Sequence, residues 1–302
     1  MFKIVEFTSE NVTLRGRLYY PEKSTRLPIV IMAHGYSATI EGMCADNYAE
    51  NFYKAGYAVL LYDHLGFGIS DGNPRQQTNK WIQARGYRDA VNYVITLPKV
   101  NHDKISLWGV SMGASAAIVT ASIDHRVKAI ITLVPACDRK LPPPDTDGQA
   151  FESIRNTFLN EKVGGTPETT YGPIPVVSFD QNTVKSILPT LTAFRWFMEY
   201  GGRYNTKWEN SVTHVEPNVS YPFNSVVCIS HMKAELLMIV AKYDEVKAAN
   251  SDVSRHAFEC APHPKELVEI DGGHFGLLHY PSKLFNEVCS AQIEFLKNWV
   301  KK

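Results

Sequence analysis

The sequence predicts a doubly wound α/β fold, in which helices cover both faces of a mostly parallel sheet. Two patterns support this prediction: nearly continuous apolar runs, and segments of helical periodicity between them. Strands that are apolar on both faces belong in a parallel sheet buried between helices. Alternation of such strands with helices is typical of the doubly wound architecture. The apolar runs are residues 27–33, 57–62, 105–108, 129–134, 236–241 and, less strongly, 267–270.

The start of the chain predicts a hairpin. Two β-rich runs, 3–7 and 13–20, are separated by Ser9-Glu10-Asn11, whose residue types are typical of a turn. After them, apolar residues at helical spacing predict helices over 48–53, before Gly56, and over 87–97. Three further helices are expected from residue 111 onward, over 250–260, and from 282 to the end of the chain.

One interval is too long for a simple connection. Between the strand ending at Pro135 and the strand starting near Glu235 lie about 100 residues, far more than α/β loops usually have. We therefore predict an inserted cap subdomain at 137–233 on a core formed by 1–136 and 234–302. Helices are predicted near 151–163 and 182–200. The insert is rich in aromatic residues: Phe194, Trp196, Phe197, Tyr200, Tyr204 and Trp208.

Composition excludes several classes of partner. Lys and Arg number 31 and Asp and Glu number 31, so the formal net charge is zero. Without a basic run, neither nucleic acid nor a membrane surface is an expected partner. The N-terminus has no signal-peptide pattern and no apolar run approaches the roughly 18 residues that span a bilayer, so we expect a cytoplasmic protein. The 5 cysteines show no C-x-x-C spacing, and no motif implies a metal or an organic cofactor.

The strongest chemical signal is Gly-Val-Ser-Met-Gly at 109–113. A nucleophile at the end of a parallel strand must occupy a sharp turn, where flanking glycines relieve crowding against the neighbouring strand and helix. Apolar residues precede this turn and small, helix-compatible residues follow it. We therefore predict Ser111 as a nucleophile; the alternative is an ordinary glycine-rich turn with an exposed serine.

A serine nucleophile requires a base and an acid. His274 follows the last predicted strand in a glycine-flanked loop, and His34 is the next candidate for the base. Asp244 follows the strand at 236–241 and is the predicted acid that orients His274, with Glu245 and Asp138 as competitors. The order Ser, Asp, His is the one expected for this arrangement.

Acyl transfer also requires donors for a developing oxyanion. His34-Gly35-Tyr36 comes directly after the strand at 27–33, where a backbone N–H can face the nucleophile. We assign the oxyanion hole to the N–H groups of Tyr36 and Met112. The alternative is that His34-Gly35 only ends the strand.

These positions together resemble the α/β-hydrolase superfamily over nearly the whole chain. The residues at 62–72 and 74–76 are similar to a branch that includes bacterial hydrolases and fungal polyketide transferases and thiohydrolases. The resemblance implies the α/β-hydrolase fold with an inserted cap and a Ser111, Asp244 and His274 triad.

The expected activity is hydrolysis of a small-molecule ester or thioester through an acyl-enzyme. Trp196, Phe197 and Tyr200 of the cap are expected to bind a hydrophobic part of the substrate; alternatively, they form the core of the cap. Acyl transfer and amide hydrolysis use the same residues, and a non-catalytic binding protein is a third alternative. The oligomeric state is not predicted.

Overall fold

An eight-stranded sheet forms the centre of the structure, a computed structural model that describes residues 2–21, 26–203 and 205–302. The strands are β1 (Phe2–Ser9), β2 (Val12–Tyr19), β3 (Leu27–Ala33), β4 (Ala58–Tyr62), β5 (Gln77–Thr78), β6 (Val100–Val110), β7 (Val127–Leu133), β8 (Thr170–Ile174), β9 (Val212–Val215), β10 (Glu235–Ala241) and β11 (Lys265–Ile270). The helices are α1 (Ala45–Lys54), α2 (Lys80–Val94), α3 (Met112–Ile123), α4 (Gln149–Asn160), α5 (Leu191–Gly201), α6 (Ser225–Ile229), α7 (Ser251–Cys260) and α8 (Lys283–Lys301).

The strand order is β1-β2-β4-β3-β6-β7-β10-β11. All neighbours from β4 to β11 pair in parallel, which confirms the predicted mostly parallel sheet. The predicted hairpin is also confirmed, because β1 and β2 are antiparallel and paired from Phe2 with Tyr19 to Ser9 with Val12. Its turn residues Glu10 and Asn11 have φ of 49° and 61°, as a two-residue hairpin turn that follows the twist of the strands requires.

Two helical layers cover the sheet. In β3, Ile29 and Ile31 pack into the core on the side of α2, α3 and α7, whereas Val30 and Met32 pack into the core on the side of α1 and α8. This alternation places consecutive side chains on opposite faces, and all four are fully buried. A strand with two buried faces explains the continuous apolar runs of the sequence.

The segment between β7 and β10 contains α4, β8, α5, β9 and α6. In it, β8 and β9 form a small sheet with β5 that the sequence did not predict, because such short strands give no periodic pattern. The predicted helix at 182–200 begins only at Leu191, since Pro189 interrupts it and Thr190 caps the new start by accepting from Ala193 N at 3.2 Å. Tyr204, one of the predicted cap aromatics, lies outside the described residues.

Candidate active site

Ser111 occupies the turn between β6 and α3. Its φ is +55° and its ψ −120°, a conformation that residues with a Cβ rarely adopt. The strained backbone is held on both sides, because Ser111 N donates to Leu133 O at 2.8 Å and Ser111 O accepts from Ala136 N at 3.0 Å. The predicted sharp turn at the carboxyl end of a buried strand is therefore present.

The two flanking glycines fit tightly packed surroundings. A Cβ on Gly109 would lie 2.5 Å from Gly113 O, and a Cβ on Gly113 would lie 2.5 Å from His34 O. Both distances are too short for real atoms, so any larger residue would push α3 away from β6 or β3. The close packing of the turn thus requires both glycines, and the turn is not a flexible surface loop.

His274 and Asp244 meet at the carboxyl ends of β10 and β11. Nδ1 of His274 lies 2.8 Å from Oδ2 of Asp244, and the two side chains are only 4% and 2% exposed. The other oxygen of Asp244 accepts from Val246 N at 2.9 Å. With its proton on Nδ1, bonded to the carboxylate, His274 keeps Nε2 free to accept a proton.

Glu245, the nearest competitor of Asp244, contacts a different part of His274. Its Oε2 accepts a hydrogen bond from the backbone N–H of His274 at 2.7 Å. Asp138, the second competitor, accepts from Arg139 N through Oδ1. The imidazole ring therefore receives its carboxylate from Asp244.

Ser111 and His274 line one cavity. Within the described ranges, no hydrogen bond joins the Ser111 hydroxyl to the imidazole. Catalytic hydrogen bonds are often long or poorly aligned before a substrate binds and shorten in the complex. The arrangement therefore places the hydroxyl of Ser111 and the imidazole of His274 beside one cavity.

The N–H groups of Tyr36 and Met112 are the donors predicted for the oxyanion. Met112 is the first residue of α3, so its N–H has no acceptor within the helix. Tyr36 follows Gly35, where a Cβ would lie 3.3 Å from Ser111 Cβ. Across the residues that the structure covers, neither N–H donates to a protein acceptor. Within these residues, both N–H groups are therefore without a protein acceptor, as donors kept for an oxyanion would be.

His34, the alternative base, is used in the scaffold. Its Nδ1–H donates to Gly35 O at 2.8 Å and its Nε2 accepts from His64 N at 3.2 Å. Burial lowers the pKa of His34 below 6.5, which keeps the ring neutral. Nearby, Asp63 accepts from Ile40 N at 2.9 Å and Ile69 N at 3.0 Å. These contacts join the loops after β3 and β4.

The comparisons with known proteins agree with the observed fold. The model of a family described as having the alpha/beta hydrolase fold matches residues 28–279. An acyltransferase, drtE from Aspergillus calidoustus, is 41% identical over 97% of this chain and 94% of its own length. A thiohydrolase, aneE from Aspergillus aculeatus, is 29% identical over 97% of this chain and 92% of its own. The crystal structure of the alpha/beta hydrolase GrgF from Penicillium sp. sh18 superposes with a TM-score of 0.74, at 25% identity and full coverage of both chains.

The chain belongs to the α/β-hydrolase family. The predicted α/β-hydrolase fold is confirmed, and so is the resemblance to the branch that contains fungal thiohydrolases and polyketide transferases.

The cavity of this α/β hydrolase has a volume of about 1080 Å³. Its apolar part lies between α1, α5 and the loop after His274. Seven of the apolar residues that form this wall are Met43, Ala45, Trp108, Trp196, Phe197, Phe275 and Leu278. The volume of the cavity is at the upper end of the range for small-molecule sites.

Of the three residues expected to contact the substrate, Trp196 and Phe197 line the cavity and Tyr200 does not. The Tyr200 hydroxyl accepts from Tyr280 N at 2.7 Å, and its ring is 5.3 Å from that of Trp196. It lies one turn further along α5 and anchors the chain after His274, so the prediction that it contacts the substrate is corrected to a packing role. Trp196 has a similar anchor, since its Nε1 donates to Leu278 O at 2.9 Å.

Sequence reasoning missed the opposite wall of the cavity. That wall contains Lys80 and Trp81 of α2, His214 and Val215 of β9, and the following residues 216–219. No motif marks these residues, because they come together only through the small sheet of β5, β8 and β9.

The described part of this α/β hydrolase contains no group of three or more His, Cys, Asp and Glu side chains that could hold a metal ion. In those same residues, no helix is both long enough and apolar enough to cross a bilayer.

Proposed function

We propose that this α/β hydrolase is a serine hydrolase that cleaves a carboxylic ester or thioester through an acyl-enzyme. The observation that carries the proposal is the buried pair of His274 and Asp244, 2.8 Å apart, beside the same cavity as Ser111 in its strained turn. The serine becomes a useful nucleophile only with a base that removes its proton.

In the first half of the reaction, Ser111 Oγ attacks the carbonyl carbon while Nε2 of His274 takes the hydroxyl proton. The N–H groups of Tyr36 and Met112 stabilise the oxyanion. The bond to the leaving oxygen or sulfur then breaks, and His274 donates its proton to that leaving atom. In the second half, water attacks the acyl carbon, His274 takes its proton, and the acid leaves as Ser111 regains its hydrogen.

The insert at 137–233 is proposed to act as a cap over the core of 1–136 and 234–302. Trp196 and Phe197 of α5 place an aromatic wall on the cavity that holds Ser111. An apolar wall favours a substrate whose acyl or alcohol part is hydrophobic. Such a small molecule is the proposed partner, and the cytoplasm is the proposed compartment.

Acyl transfer to an alcohol or amine is the second candidate. It is favoured by the 41% identity to a protein named an acyltransferase. The chemistry differs from hydrolysis in the second half alone, where the acceptor replaces water at the acyl carbon.

Steady-state turnover of p-nitrophenyl esters and acyl-thioesters of increasing chain length tests the proposal. We expect Asp244→Asn to lower kcat by about 10²- to 10⁴-fold, because the imidazole loses its orienting carboxylate. Asp271→Asn is the matched control, since Asp271 is an exposed residue in the same loop, directly before the two glycines that precede His274. Equal effects of both changes, or full activity of Asp244→Asn, would contradict the proposed triad.

An added alcohol that raises the release of p-nitrophenol and is recovered as the ester would identify acyl transfer.

A further inference from the structure

The geometry points to Glu245 as a positioning residue for His274, acting on the backbone of the loop that carries the base. This inference rests on the proposed function, because it gives Glu245 a part in the same reaction. Asp244 and Glu245 then form a two-point support in which one carboxylate holds the ring and its neighbour holds the main chain.

The contact itself is short and well defined. Glu245 Oε2 accepts from His274 N at 2.7 Å, while Asp244 Oδ2 lies 2.8 Å from Nδ1 of the same residue. A hydrogen bond to an ionised carboxylate is roughly twice as strong as a neutral one. The base is therefore held at two atoms on different sides of its Cα.

The loop that carries His274 needs this additional hydrogen bond because of its sequence. Gly272 and Gly273 precede His274, and glycine has more backbone freedom to lose than any other residue. Asp244 contacts only the ring, and the carbonyl groups of the two glycines accept from Tyr243 N at 3.1 Å and Gly276 N at 3.2 Å, so neither contact holds the N–H of His274 itself. The bond from His274 N to Glu245 restrains the main chain at this point, and a displacement of about 1 Å at a catalytic group can cost about 10²-fold in rate.

The absence of a side chain at Gly273 leaves room for the carboxylate of Glu245. A Cβ at this position would lie 2.4 Å from Glu245 Oε2 and 3.1 Å from Glu245 Cδ. Glycine thus lets the carboxylate approach the N–H of the next residue. Gly273→Ala should displace the carboxylate without removing it, which gives a second, independent way to break the contact.

The decisive experiment compares Glu245→Ala with Glu245→Gln. The amide oxygen of Gln can accept the same hydrogen bond without the charge, whereas Ala cannot. We expect Glu245→Ala to lower kcat about 10- to 100-fold with KM changed less than about 2-fold, and Glu245→Gln to recover kcat to within about 5-fold of the wild type. Gly273→Ala should lower kcat as Glu245→Ala does, and thermal melting shows whether each variant is folded.

A spectroscopic readout keeps this inference separate from the proposed function. The proton between His274 Nδ1 and Asp244 should give a far-downfield NMR resonance that persists in Glu245→Gln and broadens or disappears in Glu245→Ala. A Glu245→Ala protein with wild-type kcat and an unchanged resonance would overturn the inference, as would equal losses in the Ala and Gln variants. If Ser111→Ala retained turnover, the proposed function would fail, yet the resonance would still report whether Glu245 positions the ring.

Discussion

At the residue scale, the site depends on a few positions whose geometry is set by backbone contacts. Ser111 keeps a positive φ because hydrogen bonds to Leu133 and Ala136 hold the turn on both sides. The cost of such a conformation is about 1–3 kcal/mol, which only a well-packed surrounding can offset. In this conformation Ser111 lines the cavity.

Gly35 offers a test of the oxyanion donors. An added Cβ would lie 3.0 Å from Val110 O and 3.3 Å from Ser111 Cβ. Gly35→Ala should push the Tyr36 N–H away from the oxyanion and lower kcat by about 10- to 100-fold, less than the complete loss of one donor. Steady-state kinetics on a p-nitrophenyl ester measure this effect. Gly164→Ala controls for the change of residue type, because an added Cβ at Gly164 meets no atom of the described residues within 4 Å and the residue does not have a positive φ. An unchanged kcat in Gly35→Ala would contradict the assignment.

The sequence could predict the chain positions of Ser111, Asp244 and His274 because each follows an apolar strand, and parallel strands end at one edge of the sheet. It could not distinguish Asp244 from Glu245. Both are carboxylates after β10, and only the loop conformation decides that one reaches the ring and the other the backbone.

At the element scale, the insert is joined to the core by its helices. Arg85 of α2 donates to three carbonyl groups at the end of α4: Phe158 O at 3.0 Å, Thr157 O at 2.7 Å and Glu161 O at 2.6 Å. Thr157 O also accepts from Glu161 N at 3.4 Å, whereas within the described residues no backbone N–H reaches Phe158 O or Glu161 O. The buried guanidinium satisfies these carbonyls and its positive charge is stabilised by the negative end of the helix dipole.

Removing this guanidinium should destabilise the protein. We expect Arg85→Met to lower the free energy of unfolding by roughly 2–4 kcal/mol, because the buried carbonyls lose their donor. Urea unfolding followed by circular dichroism measures the change. Arg155→Met, which breaks a largely exposed pair with Glu152 in α4, should change it by less than about 0.5 kcal/mol. Equal effects would show that the Arg85 contacts do not join α4 to the core.

The cap helix α5 should set the preference for chain length. Trp196→Ala removes part of the apolar wall, so kcat/KM should fall by about 10-fold or more for long acyl esters and less for acetyl esters. Tyr200→Phe is the control, since its hydroxyl bonds Tyr280 and its ring does not line the cavity. A chain-length profile altered equally by both changes would contradict the proposed wall.

The elements of the insert were less predictable than those of the core. Core strands are buried on both faces and give long apolar runs, whereas β5 has two residues and β9 has four. The predicted helix at 182–200 was wrong before Leu191, because the apolar residues Val184, Ile187 and Leu188 continue the helical spacing up to Pro189. Periodicity alone did not show where the helix starts.

At the scale of the whole molecule, the strand that carries Ser111 is tied to both helical layers. Trp108 Nε1 donates to Gln292 Oε1 of α8 at 2.7 Å, and Trp108 O accepts from the Tyr87 hydroxyl of α2 at 2.8 Å. Gln292 and Tyr87 are fully buried. A buried polar group must be hydrogen-bonded to avoid a desolvation cost, so these bonds position both layers against β6.

Two buried histidines should make stability depend on pH. Burial lowers the pKa of His34 and His64 below 6.5, so the unfolded chain binds protons that the folded one does not. The free energy of unfolding should therefore fall as pH drops below 6.5, by up to about 1.4 kcal/mol per pH unit for each histidine. Asp63 opposes this trend. Burial raises its pKa above 3.8 in the folded protein, so the folded state takes up a proton before the unfolded chain does and the free energy of unfolding rises as pH falls.

His64→Gln tests this dependence. It removes one of the two histidines and leaves Asp63 in place, so the decline of stability between pH 6.5 and 5 should become shallower. Urea unfolding at a series of pH values measures the slope. Identical slopes in the wild type and the variant would show that His64 does not contribute.

The central claim is that Ser111 is the nucleophile. Mass spectrometry after reaction with a fluorophosphonate probe tests it most directly, with Ser115→Ala as the matched control from the next turn of α3. Ser115 donates to Ala136 O and is buried like Ser111. We predict one adduct on the peptide that contains Ser111 in the wild type and in Ser115→Ala, and none in Ser111→Ala. An adduct that persists in Ser111→Ala, or that maps to another residue, would contradict the account.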